Sequence, residues 1–220
     1  GPTVKRQSGF LVPHINNSNI LGSSLQTPYF YAPSINKDIT IKPTLFDKNI
    51  LMFQNEYRQK NKNSFFMADF NITDGYKSKI SNEENTLTHL FSKYEMKFNF
   101  ENFIESSLDI SLQKVNNDTY LKVFDNNLVN TDLKPDNFDT LTSDIDLNLE
   151  NEKFSFNTGF TVYENLSKPN SDRYQYVLPY YDFSRSFFNN NNFASFDFVS
   201  QGDNILKDTN SLRSKMINNL

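Results

Sequence analysis

Hydrophobic and polar residues alternate strictly over several stretches of this chain, and that period of two is the signature of β-strands with two unlike faces. Leu141, Ile145, Leu147 and Leu149 interleave with Thr142, Asp144, Asp146, Asn148 and Glu150. Phe154, Phe156, Phe160 and Val162 then alternate with Ser155, Asn157, Gly159 and Thr161. The short connector Asn151–Lys153 makes these two runs an antiparallel hairpin. A second pair is Tyr94, Met96, Phe98 and Phe100 followed by Leu108, Ile110 and Leu112, joined near residues 102–106. Further strands are predicted over 19–31, 38–46, 50–59, 64–73, 173–184 and 193–200. The nearest approach to a helical pattern, residues 82–90, lacks a sustained apolar face.

The predicted fold is therefore all-β, an antiparallel meander of about ten strands, open and with both edges unpaired. Connector lengths add to this. Polar stretches run over 74–85 and 116–138, and a middling one over 167–172. Short links lie near Asn102, Asn151 and Asn189, so in the second half long and short links tend to alternate. A transmembrane barrel has that asymmetry, with short turns at one end and long loops at the other. The early links near Asn17 and Asp47 are both short and do not share the trend. Each alternating run leaves one face apolar, with Ser143 and Thr158 as polar exceptions. A sandwich with one buried and one solvated face gives the same pattern, so alternation alone leaves barrel and sandwich open.

Composition narrows the function classes. The 220 residues hold 37% hydrophobic and 15% aromatic residues, with 22 Phe, 11 Tyr and no Trp, and a mean hydropathy of -0.62. No apolar run approaches the roughly 20 residues that a membrane helix needs; barrel strands keep mean hydropathy low because half of their side chains face inward. There is no cysteine, hence no disulfide or thiolate metal site. A net charge of -4 with interspersed signs gives no basic surface for nucleic acid. No leader peptide reads at Gly1, which fits a mature or internal stretch. The Asn run at 189–192 reads as coding bias rather than a prion-like tract.

Chemistry-bearing constellations are sparse. His14 and His89 are far apart and lack H-x-x-H or H-E-x-x-H context. No nucleophile elbow, Walker loop or dinucleotide fingerprint occurs. Asp144 and Asp146 share one strand face and read as lumen-facing or solvated polar groups. Gln201–Asn204 reads as a turn. Enzyme chemistry, cofactors and metals are not expected. Four prolines, Pro13, Pro28, Pro33 and Pro43, stand in or beside segments that otherwise read as strands, although proline is normally confined to strand ends, edges and bulges.

An ordered set of motifs accounts for them. Arg6-Gln7-Ser8-Gly9-Phe10-Leu11-Val12-Pro13 is followed by Pro28-Tyr29-Phe30, Ala32-Pro33-Ser34, Asp38-Ile39-Thr40-Ile41-Lys42-Pro43 and Glu56-Tyr57-Arg58. Together these resemble the start of the barrel domain of the LPS-assembly protein LptD family. A looser match is Val115-Asn116-Asn117-Asp118-Thr119-Tyr120-Leu121 with Phe124, where Asn116-Asn117 replace the family's Ser-Asp; Ser34 stands where an Asn is common. From about residue 139 onward there is alternation without diagnostic motifs.

The resemblance implies residues 1–7 as a linker from a missing periplasmic domain. Residues 8–220 would be the N-terminal part of a large outer-membrane β-barrel. It implies lipopolysaccharide transport and insertion into the outer leaflet of the Gram-negative outer membrane. The implied partners are lipopolysaccharide, a lipoprotein plug of the LptE type and, through the missing domain, a periplasmic bridge protein of the LptA type. It also implies a lateral gate weakened by Pro13 and Pro28, since each proline removes one ladder donor. The residues alone leave a second class, a soluble all-β surface binding or adhesion module, in which both prolines merely end strands. Gly9 reads equally as a bulge or as an ordinary strand entry, and Lys5-Arg6 as a solvated linker rather than a contact to an anionic group.

Overall fold

The computed structural model describes residues 6–78, 84–129, 131–169, 172–188, 195–207 and 211–219. Most of the expected linker (residues 1–5) and the Asn189–Asn192 link lie outside the described residues. The chain forms one antiparallel sheet of fourteen strand segments. The first two passes are each split, β1 (Gly9–Phe10) with β2 (His14–Ser18), and β3 (Gly22–Gln26) with β4 (Tyr29–Ser34). Then follow β5 (Lys37–Phe46), β6 (Leu51–Lys60), β7 (Ser64–Lys77), β8 (Glu84–Lys97) and β9 (Glu105–Val115). Two short helices, α1 (Tyr120–Val123) and α2 (Asp125–Leu128), precede β10 (Thr140–Glu150), β11 (Phe154–Asn165), β12 (Tyr174–Phe188), β13 (Ser195–Lys207) and β14 (Ser211–Asn219). The order is linear, β1-β4-β5 and onward to β14, with β2 on β3 and β3 on β5. The meander is as expected, and among the described residues β14 pairs with β13.

Three expectations are corrected. The 74–85 connector is shorter, because β7 continues to Lys77 and β8 begins at Glu84. The 19–31 strand is two segments, interrupted at Thr27-Pro28. The 116–138 link contains helical turns.

Two compact units share the chain. Unit 1 holds residues 1–93 and 113–138. Its strands β5 to β7 are in continuous register, with Thr40 opposite Glu56 and Glu56 opposite Asp69. The two faces of these strands reverse the usual partition. Leu45 is 58% exposed and Phe53 44%, and Ile41, Leu51, Phe70 and Ile72 are exposed with them. On the opposite face Thr40, Thr44, Glu56, Asn71 and Thr73 are buried, while Gln54 and Asp69 are each 0% exposed. A water-soluble sheet buries its apolar face and solvates its polar one.

Unit 2 holds residues 94–112 and 139–220. The expected β10–β11 hairpin is present, with Leu147 opposite Thr158 and Ile145 opposite Phe160. Asp146 faces Asp109, and Asp144 accepts a hydrogen bond from Ser111 Oγ at 2.5 Å. Near the connectors at 98–104 and 151–153, rings form a chain of neighbours. Phe100 meets Phe103 at 5.8 Å, Phe103 meets Phe154 at 5.9 Å, Phe154 meets Phe183 at 6.1 Å, and Phe183 meets Phe198 at 6.2 Å. This band crosses β11, β12 and β13 near one end of the strands.

Candidate functional site

The first hairpin of unit 1 is broken midway. Phe10 pairs with Tyr29, and His14 pairs with Gln26. Between them Leu11, Val12 and Pro13 face only Thr27 and Pro28, so the first pass carries one extra residue, which is the geometry of a bulge. Pro13 and Pro28, the two residues singled out from the sequence, thus lie in facing interruptions. At the break the Leu11 N–H donates to Pro28 O at 2.9 Å, and the Thr27 N–H donates to Pro43 O at 3.1 Å. Antiparallel narrow pairs exchange two bonds; the return bond from residue 28 to Leu11 is the one that a proline cannot make. Gly9 enters β1 in ladder pairing opposite Phe30, with open space where a Cβ would stand, which is the strand-entry reading.

Beyond the break the hairpin is tied at its tip. The Asp47 carboxylate accepts from the Ser23 N–H at 3.0 Å, the Asp47 N–H donates to Ser23 O at 2.9 Å, and Lys48 Nζ donates to Ile20 O at 2.8 Å. Gly22 has φ +83°, and a Cβ placed there would stand 2.0 Å from Asp47 Oδ1. Only glycine meets both demands.

The polar face of β5 to β8 is covered by the 116–138 segment. Asn116 fastens its start to β8. Its side-chain oxygen accepts from the Thr88 N–H at 2.8 Å, its amide donates to Thr86 O at 2.9 Å, and its N–H donates to Thr88 O at 3.2 Å. Asn117 Oδ1 accepts from the Thr119 N–H at 2.9 Å and turns the chain into α1. Tyr120, Leu121, Phe124 and Leu128 are then fully buried, in one interior with Met52, Met67, Leu87 and Phe91. The Tyr120 ring lies 4.7 Å from Phe124 and 5.3 Å from His89, and His89 stacks on Phe91 at 4.2 Å.

A chain of polar bonds runs beneath α1. Asn71 Nδ2 donates to Tyr120 Oη at 2.5 Å, Tyr120 Oη meets His89 Nδ1 at 2.7 Å, and His89 Nε2 meets Asp69 Oδ1 at 2.9 Å. Gln54 Nε2 donates to Asp69 Oδ2 at 2.8 Å and to Thr131 Oγ1 at 3.0 Å. With the imidazole proton on Nε2 all these bonds are compatible: Asn71 donates to Tyr120, Tyr120 to His89, and His89 to Asp69. Burial pushes the Tyr120 hydroxyl above the ordinary phenol range, so it stays a donor. Both ends of α1–α2, at Tyr120 and at Thr131, are therefore hydrogen-bonded to the sheet's polar face. The donors of this network are paired, while Gln54 Oε1 and Asn71 Oδ1 are buried without a hydrogen-bond partner among the described residues.

The remaining charges of this face are paired. Lys42 Nζ lies 3.2 Å from Glu56 Oε2, Arg58 Nε lies 2.9 Å from Asp38 Oδ1, and Arg6 Nη1 lies 2.6 Å from Asp38 Oδ2. Arg6 thus makes an ion pair with a buried carboxylate while its own side chain stays half-exposed. Asp144 and Asp146 belong to unit 2 and to no such network of cations, and His14 stands exposed on β2. His89, which shows no motif, is the centre of the covered site. Its signal is positional: Leu87, His89 and Phe91 share one parity of β8, and all three are buried. Among the described residues no cluster of His, Asp and Glu has the composition of a metal site.

No family model matches the chain. It is similar to several curated proteins described as LPS-assembly protein LptD. With that of Ectopseudomonas mendocina it shares 42% identity over 60 residues, 27% of this chain and 6% of that protein. With that of Legionella pneumophila (strain Paris) it shares 27% over 140 residues, 56% of this chain and 16% of that protein. With that of Pectobacterium atrosepticum it shares 34% over 86 residues, 38% and 11% respectively. The chain matches only a small part of the length of these relatives.

Proposed function

We propose that this chain is the N-terminal part of the barrel domain, residues 8–220, of an outer-membrane protein that inserts lipopolysaccharide into the outer leaflet. Residues 1–7 would be the lead-in from a periplasmic domain. The observation that carries this reading is the reversed partition of β5 to β7, with Leu45, Leu51, Phe53, Phe70 and Ile72 exposed and Gln54, Asp69, Asn71 and Thr73 buried. A transmembrane barrel has that order, apolar toward lipid and polar toward the lumen. The ring band of Phe103, Phe154, Phe183 and Phe198 fits the interfacial girdle of such a barrel. A soluble adhesion module would carry the opposite partition. The similarity to the LPS-assembly proteins supplies the cargo. A lipoprotein plug of the LptE type and a bridge protein of the LptA type are the partners that go with it.

In this reading Pro13 and Pro28 weaken the seam at the first pass. A closed barrel leaves no free edge, and a seam lacking donors separates at lower free energy. Each donor restored by Ala contributes on the order of 0.5–1.5 kcal/mol. The test is the double substitution Pro13→Ala and Pro28→Ala in the full-length protein as the cell's only copy. Expected are a normal level of heat-modifiable barrel, less lipopolysaccharide at the cell surface and greater antibiotic permeability. Unchanged surface lipopolysaccharide at normal barrel level returns both prolines to the role of strand ends.

A further inference from the structure

Three sequence segments that are far apart meet at one carboxylate. Arg6 precedes the first strand, Asp38 opens β5 and Arg58 lies near the end of β6. The Asp38 side chain is 2% exposed and holds both guanidinium groups, Arg6 at 2.6 Å and Arg58 at 2.9 Å. Arg58 Nε also lies 3.6 Å from Glu56. A cavity beside this cluster is lined by Arg6, Asn36, Arg58, Phe65 and Asp132, the last contributed by the covering segment.

The strand order gives this contact its meaning. β1 pairs with β4, and β4 pairs with β5. Arg6 therefore bypasses its neighbouring pass and reaches the next one. Two further ties follow at every second residue. Ser8 Oγ accepts from the Ala32 N–H at 3.0 Å, and the Phe10 ring meets Tyr29 edge-on at 5.1 Å. All three lie below the break at 11–13. Above it, β2 pairs with β3 through the ladder, and its residues are exposed apart from Ser18.

We infer that Arg6, through Asp38 and Arg58, is a strap that pins the base of the first pass to the third, so that motion at the interruption is confined to β2 (residues 14–18), since β3 is itself paired with β5. The strap also fixes where residue 6 enters, at the Asp38 end of β5. The buried carboxylate keeps one cation in every state, because Arg58 is on the adjoining strand; Arg6 is the removable partner, its side chain 55% exposed. The inference stands on the geometry of the base and holds whatever the barrel carries.

The test is hydrogen exchange on the full-length protein in detergent, comparing Arg6→Ala with Arg6→Lys. In Arg6→Ala, exchange over residues 7–13 and 29–34 rises roughly three- to tenfold, the range for a half-exposed charge-assisted tie, while residues 14–18 are unchanged. Arg6→Lys, which keeps the charge, recovers at least half of the protection. Unchanged protection over 7–13 in Arg6→Ala overturns the strap. So does a rise that is equal over 14–18, which marks general loosening, or a failure of Lys to recover protection.

Discussion

Tyr120→Phe isolates the bond chain that seats the covering segment. The substitution keeps the ring, its 4.7 Å contact with Phe124 and its burial, and removes only Oη. Asn71 Nδ2 and His89 Nδ1 then lose their common partner inside the protein. A buried polar group left unpaired costs about 1–3 kcal/mol. Asn71 Nδ2 keeps its bond to Thr73 Oγ1, so the cost is about that of one group, about 1–3 kcal/mol, a roughly 5- to 150-fold rise in the population with the segment unseated. Hydrogen exchange of residues 117–129 in the full-length protein reads this opening directly. Tyr163→Phe on β11 is the control, since Tyr163 is substantially exposed and loses little. A change below about threefold over 117–129 would refute the role of the Tyr120 bonds and leave the attachment to Leu121, Phe124 and Leu128 with the Asn116 and Thr131 bonds.

Two more outcomes follow from the same geometry. The Tyr120 hydroxyl is raised above its usual value of 10.0 by burial, so the seated form resists ionisation that the released form undergoes. The Tyr120 contribution to seating is therefore fully present below pH 10.0 and is lost as pH climbs beyond it. Limited proteolysis within 117–129 should accelerate above that pH in the parent and lose this dependence in Tyr120→Phe. Gly22→Ala should destabilise the hairpin tip by about 1–2 kcal/mol from its positive φ alone, with the Asp47 clash added. Exchange at Ser23 and Asp47 should rise at least about fivefold, and unaltered exchange there would contradict the tight-turn argument.

The strand pattern was largely legible in the sequence because pleating imposes a period of two on any face with one solvent. Leu141–Leu149 and Phe154–Val162 became β10 and β11 as expected. The last pass, Ser211–Asn219, was missed because Leu212, Met216 and Ile217 do not hold one parity. The first pass was missed because the break leaves segments too short to show a period. Alternation could not say which face is buried. That depends on the 116–138 segment, whose attachment uses Tyr120, Leu121, Phe124 and Leu128, apolar residues scattered without strand or long-helix periodicity. Its motif was noted as a family likeness, yet nothing local paired it with His89. Asp69, Asn71 and Thr73 looked like ordinary polar positions of a strand. The role of Asn71 arises from Tyr120, 49 positions away, and that of Asp69 from His89 and Gln54, which only the tertiary fold brings near.

The reversed partition of β5 to β7 has a consequence for how the chain travels before it folds. The exposed apolar residues of these strands are never contiguous in sequence: Phe53 is followed by Gln54, Phe70 by Asn71, Ile72 by Thr73. In the extended chain Ile41, Phe70 and Ile72 each stand between polar neighbours, and the continuous apolar surface exists only once strands align side by side. The greasiness is thus latent, written across strands rather than along them. A polypeptide of this design can cross a watery compartment without the long apolar run that membrane helices require. In the barrel proposed above, it would become compatible with a bilayer at the same step, and by the same hydrogen bonds, that build its sheet.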